Sequence, residues 1–116
     1  MMKTSGYIFI LGVLFLSCKK DMAMDPMCED IVSYNEKIQP LIEMNCSTTG
    51  CHDETGQQGG VNLVSYAGVR NNADKILSVI QLDEGNSDLM PFGGPKLADS
   101  LIQHFNCWSN QGKLNN

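Results

Sequence analysis

Cys46, Cys51 and His52 stand in the stretch NCSTTGCHDE at residues 45–54, where two thiols five positions apart are followed directly by an imidazole. Three chemistries use such a set. Covalent haem attachment needs two thiols to form thioethers with the vinyl groups on one porphyrin edge, and an imidazole beside the second thiol to reach the iron. The usual spacing is C-x-x-C-H. Here Ser47, Thr48, Thr49 and Gly50 separate the cysteines, and Gly50 lets the loop bulge outward while both sulfurs face the ring edge. A tetrahedral zinc site would combine Cys46, Cys51 and His52 with a fourth ligand such as Cys28 or Cys107. The third possibility is a disulfide between Cys46 and Cys51 with His52 as a bystander.

The rest of the chain favours haem among these. An iron that only carries electrons takes a second axial ligand, commonly a methionine sulfur presented by a loop on the opposite face. Met90 lies in DLMPFGGP, a proline- and glycine-rich loop 38 residues after His52. Met22, Met24 and Met27 belong to an N-terminal tether, and Met44 is only two residues before Cys46. Packing against the core is the ordinary role for a methionine, and it remains the alternative for Met90.

These residues need an exported compartment, and the N-terminus predicts one. MMKTSGYIFILGVLFLSCKK has an apolar run at residues 7–16 that is too short to span a bilayer as a mature helix, so residues 1–17 are expected to be a signal peptide. Phe15-Leu16-Ser17-Cys18 is similar to a bacterial lipobox, with Phe15 where Leu is usual; Cys18 would then carry lipid and tether the chain to a membrane surface. Cleavage before Cys18 leaves 116 − 17 = 99 residues, one small domain. Residues 18–30 read as the tether and 31–116 as the folded domain. From Cys18 onward the charge is 7 − 13 = −6, which argues against a nucleic-acid partner. Outside the cytoplasm the remaining four cysteines can pair or take a cofactor.

The elements that must position the cluster are helical. Tyr34, Ile38, Leu41 and Ile42 recur at near-helical spacing, with Pro40 either kinking this helix or opening its main turn. ETGQQGG is expected to be a flexible loop without an element of its own. Val61, Leu63 and Tyr66 suggest an extended piece followed by a helical turn capped by Ser65. Asn72 is expected to cap a helix through Ile80, with Ile76, Val79 and Ile80 buried. LDEGNSDLMPFGGPKL is irregular, and a last helix over residues 99–111 puts Leu101, Ile102, Phe105 and Trp108 on one side before Gly112 stops it. Asp53 and Glu54 read as a solvated helix start, where acids suit the dipole. His104 is expected at the surface of the last helix. The class that follows is small and all-α, with long loops.

Taken in order, these pieces resemble the small c-type cytochrome domains of exported bacterial lipoproteins, some of which use the same C-x4-C-H spacing. The resemblance covers residues 34–112. It rests on Ile38-Gln39-Pro40, Asn45-Cys46-x4-Cys51-His52, Leu63 with Ser65 and Tyr66, Met90-Pro91 with Gly93-Gly94-Pro95, and Trp108 with Gly112. Ala98, where a Ser or Thr cap is commoner, and Phe92, where a proline would be unsurprising, depart from the pattern.

The resemblance implies a cytochrome c-like helical domain around one covalently attached haem c. Cys46 and Cys51 would carry the thioethers, His52 the proximal and Met90 the distal iron bond. It further implies packed terminal helices, hence a Cys28–Cys107 disulfide in place of two unpaired buried thiols. Phe105 and Trp108 would pack near the porphyrin, and Tyr66 would either line its pocket or fill the core. The expected function is single-electron transfer between redox partner proteins, on the periplasmic or cell-surface side, with no enzymatic constellation. Two alternatives stay open: a haem enzyme or gas sensor with an open iron site, and a cofactor-free, disulfide-stapled lipoprotein.

Overall fold

A computed structural model of the chain describes residues 27–116; the expected signal peptide, Cys18 and the tether as far as residue 26 lie outside the described residues. Among the described residues every regular element is helical. No helix there is long and apolar enough to cross a membrane.

The first helix is built in two parts. Tyr34–Ile38 is π-helical and runs directly into α1, Gln39–Asn45. Pro40 explains the change of pitch. It falls in the first turn of α1, where the N–H it lacks has no obligatory helical partner, and the wide turn before it lets the Gln39 N–H reach back to the Tyr34 carbonyl. Of the two roles open to Pro40 in the sequence, it takes the opening turn of α1. Ser33 caps this helix by accepting from the Glu36 N–H at 3.2 Å. Tyr34, Ile38, Leu41 and Ile42 are all buried, as their spacing predicts.

The segment that reads as an unstructured loop contains a 3-10 turn at Gln58–Gly60. Leu63 and Val61 are buried beyond it, and Ser65 then caps α2, Tyr66–Asn71, by accepting from the Gly68 N–H. The expected Asn72 cap is absent as a side-chain bond. Its amide instead donates back to the Gly68 carbonyl at 2.8 Å, closing α2, while α3, Ala73–Ile80, starts at the same residue. The buried stripe of α3 is Ala73, Ile76 and Ile80, with Val79 only half-buried.

After an irregular stretch the last helix, α4, covers Asp99–Asn110. Ala98 offers it no side-chain cap, whereas its C-terminus is fully closed. Gly112 takes φ of +100°, the Lys113 N–H bonds the Trp108 carbonyl and the Gly112 N–H bonds that of Ser109. That double bond pattern around a left-handed residue is what glycine supplies without steric cost.

Ile102, Phe105 and Trp108 of α4 meet the first helix and α3 in the core. Phe105 and Trp108 are fully buried, and their rings sit 5.4 Å apart. Tyr34 joins them at 5.7 Å from Trp108, and Tyr66 stands edge-on to Tyr34 at 5.0 Å. Such aromatic contacts add about 0.5–1.5 kcal/mol each beyond the area they bury. The Trp108 indole N–H donates to the Leu114 carbonyl and the Tyr66 hydroxyl to that of Lys113. Tyr66 is half-buried and packs against the core cluster.

Cys28 and Cys107 form a disulfide with Cα atoms 5.5 Å apart, joining the segment before the first helix to α4. The Gln111 side chain ties the same two regions by accepting from the Val32 N–H and donating to the Asp30 carbonyl, each at 2.8 Å.

Candidate functional site

The site loop begins where α1 ends. The Cys46 and Ser47 N–H groups both bond the Ile42 carbonyl, and the Asn45 amide bonds that of Leu41, so the last turn of α1 holds Cys46 firmly. The loop then folds on itself. Cys51 N–H donates to the Thr48 carbonyl and His52 N–H to the Cys46 carbonyl, with Gly50 at φ +82° making the reversal. The extra residues of the C-x4-C spacing therefore form a closed turn, with residues 46 and 52 joined across its base.

Gly56 braces this turn from behind. A Cβ placed on it would lie 2.5 Å from the Gly50 carbonyl carbon and 2.7 Å from the Cys51 carbonyl oxygen, both backbone atoms. Gly56→Ala is accordingly expected to cost about 1–3 kcal/mol, because neither neighbour can swing away. Thermal unfolding of the variant measures it, and an unchanged midpoint would show that the turn is softer than its contacts.

Asp53 does not start a helix, contrary to the sequence expectation. Its carboxylate accepts from the Gly56 N–H at 2.6 Å and the Thr55 hydroxyl at 2.9 Å, making a tight turn. The Gly56 bond is the chief reason its pKa is lowered. Acidic residues favour turns of this kind because the short side chain bonds the backbone just ahead of it.

His52 is oriented by Val61. Its Nδ1 lies 3.1 Å from the Val61 carbonyl oxygen, and the Leu63 N–H returns a bond to the His52 carbonyl at 2.8 Å. In a neutral ring Nδ1 donates to that carbonyl, which leaves the lone pair on Nε2. A backbone carbonyl behind a histidine is the usual way a ligand imidazole is fixed in tautomer and direction. Sequence reasoning missed Val61, since any residue can supply a carbonyl.

The four described cysteines divide cleanly. Cys28 and Cys107 are paired, whereas Cys46 and Cys51 are free thiols, the first buried and the second exposed. The disulfide removes both thiols that could have completed a tetrahedral zinc site. Burial, and secondarily the nearby Cys51, pushes the Cys46 thiol up to about 11. In protein produced without haem, iodoacetamide is therefore expected to alkylate Cys51 first, with the Cys46 rate still climbing as pH rises toward its own pKa. Mass mapping at several pH values reads this; equal rates at neutral pH would contradict the burial of Cys46.

Met90 is half-buried and packs against the main core cluster, and its N–H is tied to the Val79 carbonyl at 3.2 Å. Its loop approaches the cysteine loop across a cleft of about 370 Å³. Met44, Asn45 and Thr48 line one side of it, and Pro91, Pro95 and Leu97 the other. That volume lies within the range of small-molecule pockets. Cys46 belongs to the same buried apolar cluster as Leu41, Ile42, Val61, Leu63 and Leu97.

His104 is half-buried on α4 and, with Glu29, Asp30 and Glu36, lines a separate cleft beside the disulfide.

The residue types that a covalently held haem requires are present: two free thiols stand in one closed turn beside an imidazole whose Nδ1 is engaged by Val61. Their chain neighbours Asn45, Thr48 and Pro91 line the cleft, whereas Cys46, Cys51, His52 and Met90 do not. The fold and site together define a small, all-helical, disulfide-stapled domain that displays an unpaired dithiol and an oriented histidine in one loop. No protein-family model matches the chain, and no curated protein or solved structure is significantly similar to it.

Proposed function

We propose that this protein is an exported, lipid-anchored c-type cytochrome that carries single electrons between redox partner proteins. The observation that carries the reading is the 3.1 Å approach of His52 Nδ1 to the Val61 carbonyl, beside a turn in which Cys46 and Cys51 are both free thiols.

In this reading Cys46 and Cys51 would hold one haem c by thioethers, and His52 and Met90 would be the side chains that ligate its iron. When bound, the haem supplies reversible one-electron chemistry, and a His/Met pair raises its potential. The chain does the rest. Val61 fixes the imidazole, the turn braced by Gly56 sets the distance between the thiols, and Leu41, Ile42, Leu63 and Leu97 keep water from Cys46. The disulfide and α4 hold the wall on which these residues pack. Cys18 would anchor the mature chain to a membrane surface, so that partners are met there.

An iron held by both His52 and Met90 has no free position. The absorption spectrum of the oxidised, mature protein is therefore expected to stay unchanged when cyanide is added, and that of the reduced protein when carbon monoxide is added. Rapid uptake of either ligand would instead identify an enzyme or gas sensor with an open iron site.

A further inference from the structure

The C-terminal residues 113–116 run back across the molecule to the start of the first helix. A helix leaves its first four N–H groups without intrahelical partners. The Lys37 N–H makes the first bond of the helix itself, to the Ser33 carbonyl. Of the unpartnered groups before it, the Glu36 N–H is taken by the Ser33 hydroxyl, while Asn116 takes two, 2.9 Å from the Tyr34 N–H through Oδ1 and 2.9 Å from the Asn35 N–H through its backbone oxygen. The Ser33 hydroxyl donates to that same backbone oxygen at 2.8 Å. Two of the cap bonds of this helix thus come from a residue more than eighty positions away.

Three further contacts seat the segment. The buried Trp108 indole holds the Leu114 carbonyl, the Tyr66 hydroxyl holds the Lys113 carbonyl at 2.6 Å, and Lys113 Nζ lies 3.3 Å from the Asp74 carboxylate. The helix so capped is weak on its own, since its first five residues are π-helical and Pro40 then interrupts the ladder.

We propose that residues 113–116 are a clasp, and that Tyr34–Ile38 is the element it closes, with Pro40 as the boundary. Seated, the clasp completes the N-terminal cap and holds Tyr34 against Trp108 and Tyr66. Released, it lets the π-helical turn fray as far as Pro40, while α1 beyond it keeps its own bonds to Cys46. The clasp is independent of any cofactor.

Amide hydrogen exchange of the full-length mature chain, read residue by residue, tests this in Asn116→Ala combined with Tyr66→Phe. These changes remove one cap acceptor and one clasp bond without emptying the core. The Tyr34, Asn35 and Glu36 amides are expected to exchange roughly tenfold faster, as a lost hydrogen bond of ordinary strength implies. Amides of Ile42, Cys46 and α3 are expected to hold their rates, and Asn116→Asp, which keeps an acceptor, should retain the protection. Unchanged rates at 34–36 would overturn the clasp. So would acceleration spread evenly over all helices, which would mean a mere loss of global stability.

Discussion

Replacing Cys28 and Cys107 together by Ala is expected to lower the stability of the domain by about 4.5 kcal/mol. The disulfide closes a sequence separation of 79 residues, and the chain-entropy model gives roughly that value for a loop of this length. Domains of this size have only about 5–15 kcal/mol in total, so the loss takes much of what there is. The melting temperature should fall by on the order of 20–35 °C. Both cysteines are buried, and the part-buried Gln103 amide, which donates to the Cys107 sulfur at 3.4 Å, loses that acceptor as well. Gln111 still ties Asp30 and Val32 to the end of α4, which keeps the native arrangement available while the unfolded chain gains its freedom. Equilibrium urea unfolding of the two proteins measures the difference. A loss under about 1 kcal/mol would mean that the unfolded chain stays compact without the bridge.

Met90→Ala is expected to separate holding the haem from tuning it. The proposed thioethers at Cys46 and Cys51 do not involve residue 90, so the cofactor should remain covalently attached. The iron, however, would lose the ligand that raises its potential. Axial ligation moves haem potentials over a range of roughly 0.8 V, and loss of the thioether is expected to lower this one by on the order of 0.1–0.3 V. Carbon monoxide should then bind where it did not before. The Met90 N–H bond to Val79 is a backbone bond and survives the substitution, so the loop should keep its place. A redox titration with an absorption spectrum reads both effects. If potential and spectrum are both unchanged, Met90 is a packing residue and nothing more.

What the sequence made legible was the part governed by periodicity and capping. The apolar spacing of Tyr34, Ile38, Leu41 and Ile42 placed the first helix, Ser65 and Gly112 marked true boundaries, and the last helix buried Ile102, Phe105 and Trp108 of the side that its pattern named, with Leu101 half-buried. The π-helical turn was not legible, because a wide turn before a proline keeps the same apolar face as an ordinary one. Asn72 stands at the N-cap of α3 as its type suggests, but its side chain bonds elsewhere, and Asp53 was misread for a related reason. Short polar side chains can bond the backbone on either side of them, and here the Asn72 amide closes the preceding helix while Asp53 makes a turn.

The site was legible in its side chains and hidden in its backbone. Cys46, Cys51 and His52 announce themselves by type and spacing. Val61, which orients His52, and Gly56, whose missing side chain lets the turn close, act through atoms that every sequence contains or through an absence. Gly56 did carry a signal, as one of several glycines after the cluster, but composition alone reads such a run as slack chain. Asn116 lies farther still from the helix it caps, and no local pattern links them.

If Cys46 and Cys51 are joined to one porphyrin, intact-mass and peptide mass spectrometry of protein matured in a haem-attaching host should find the added mass of a single haem, located on the peptide that contains both cysteines and His52. A chain of unmodified mass, with Cys46 and Cys51 oxidised to each other, would contradict it.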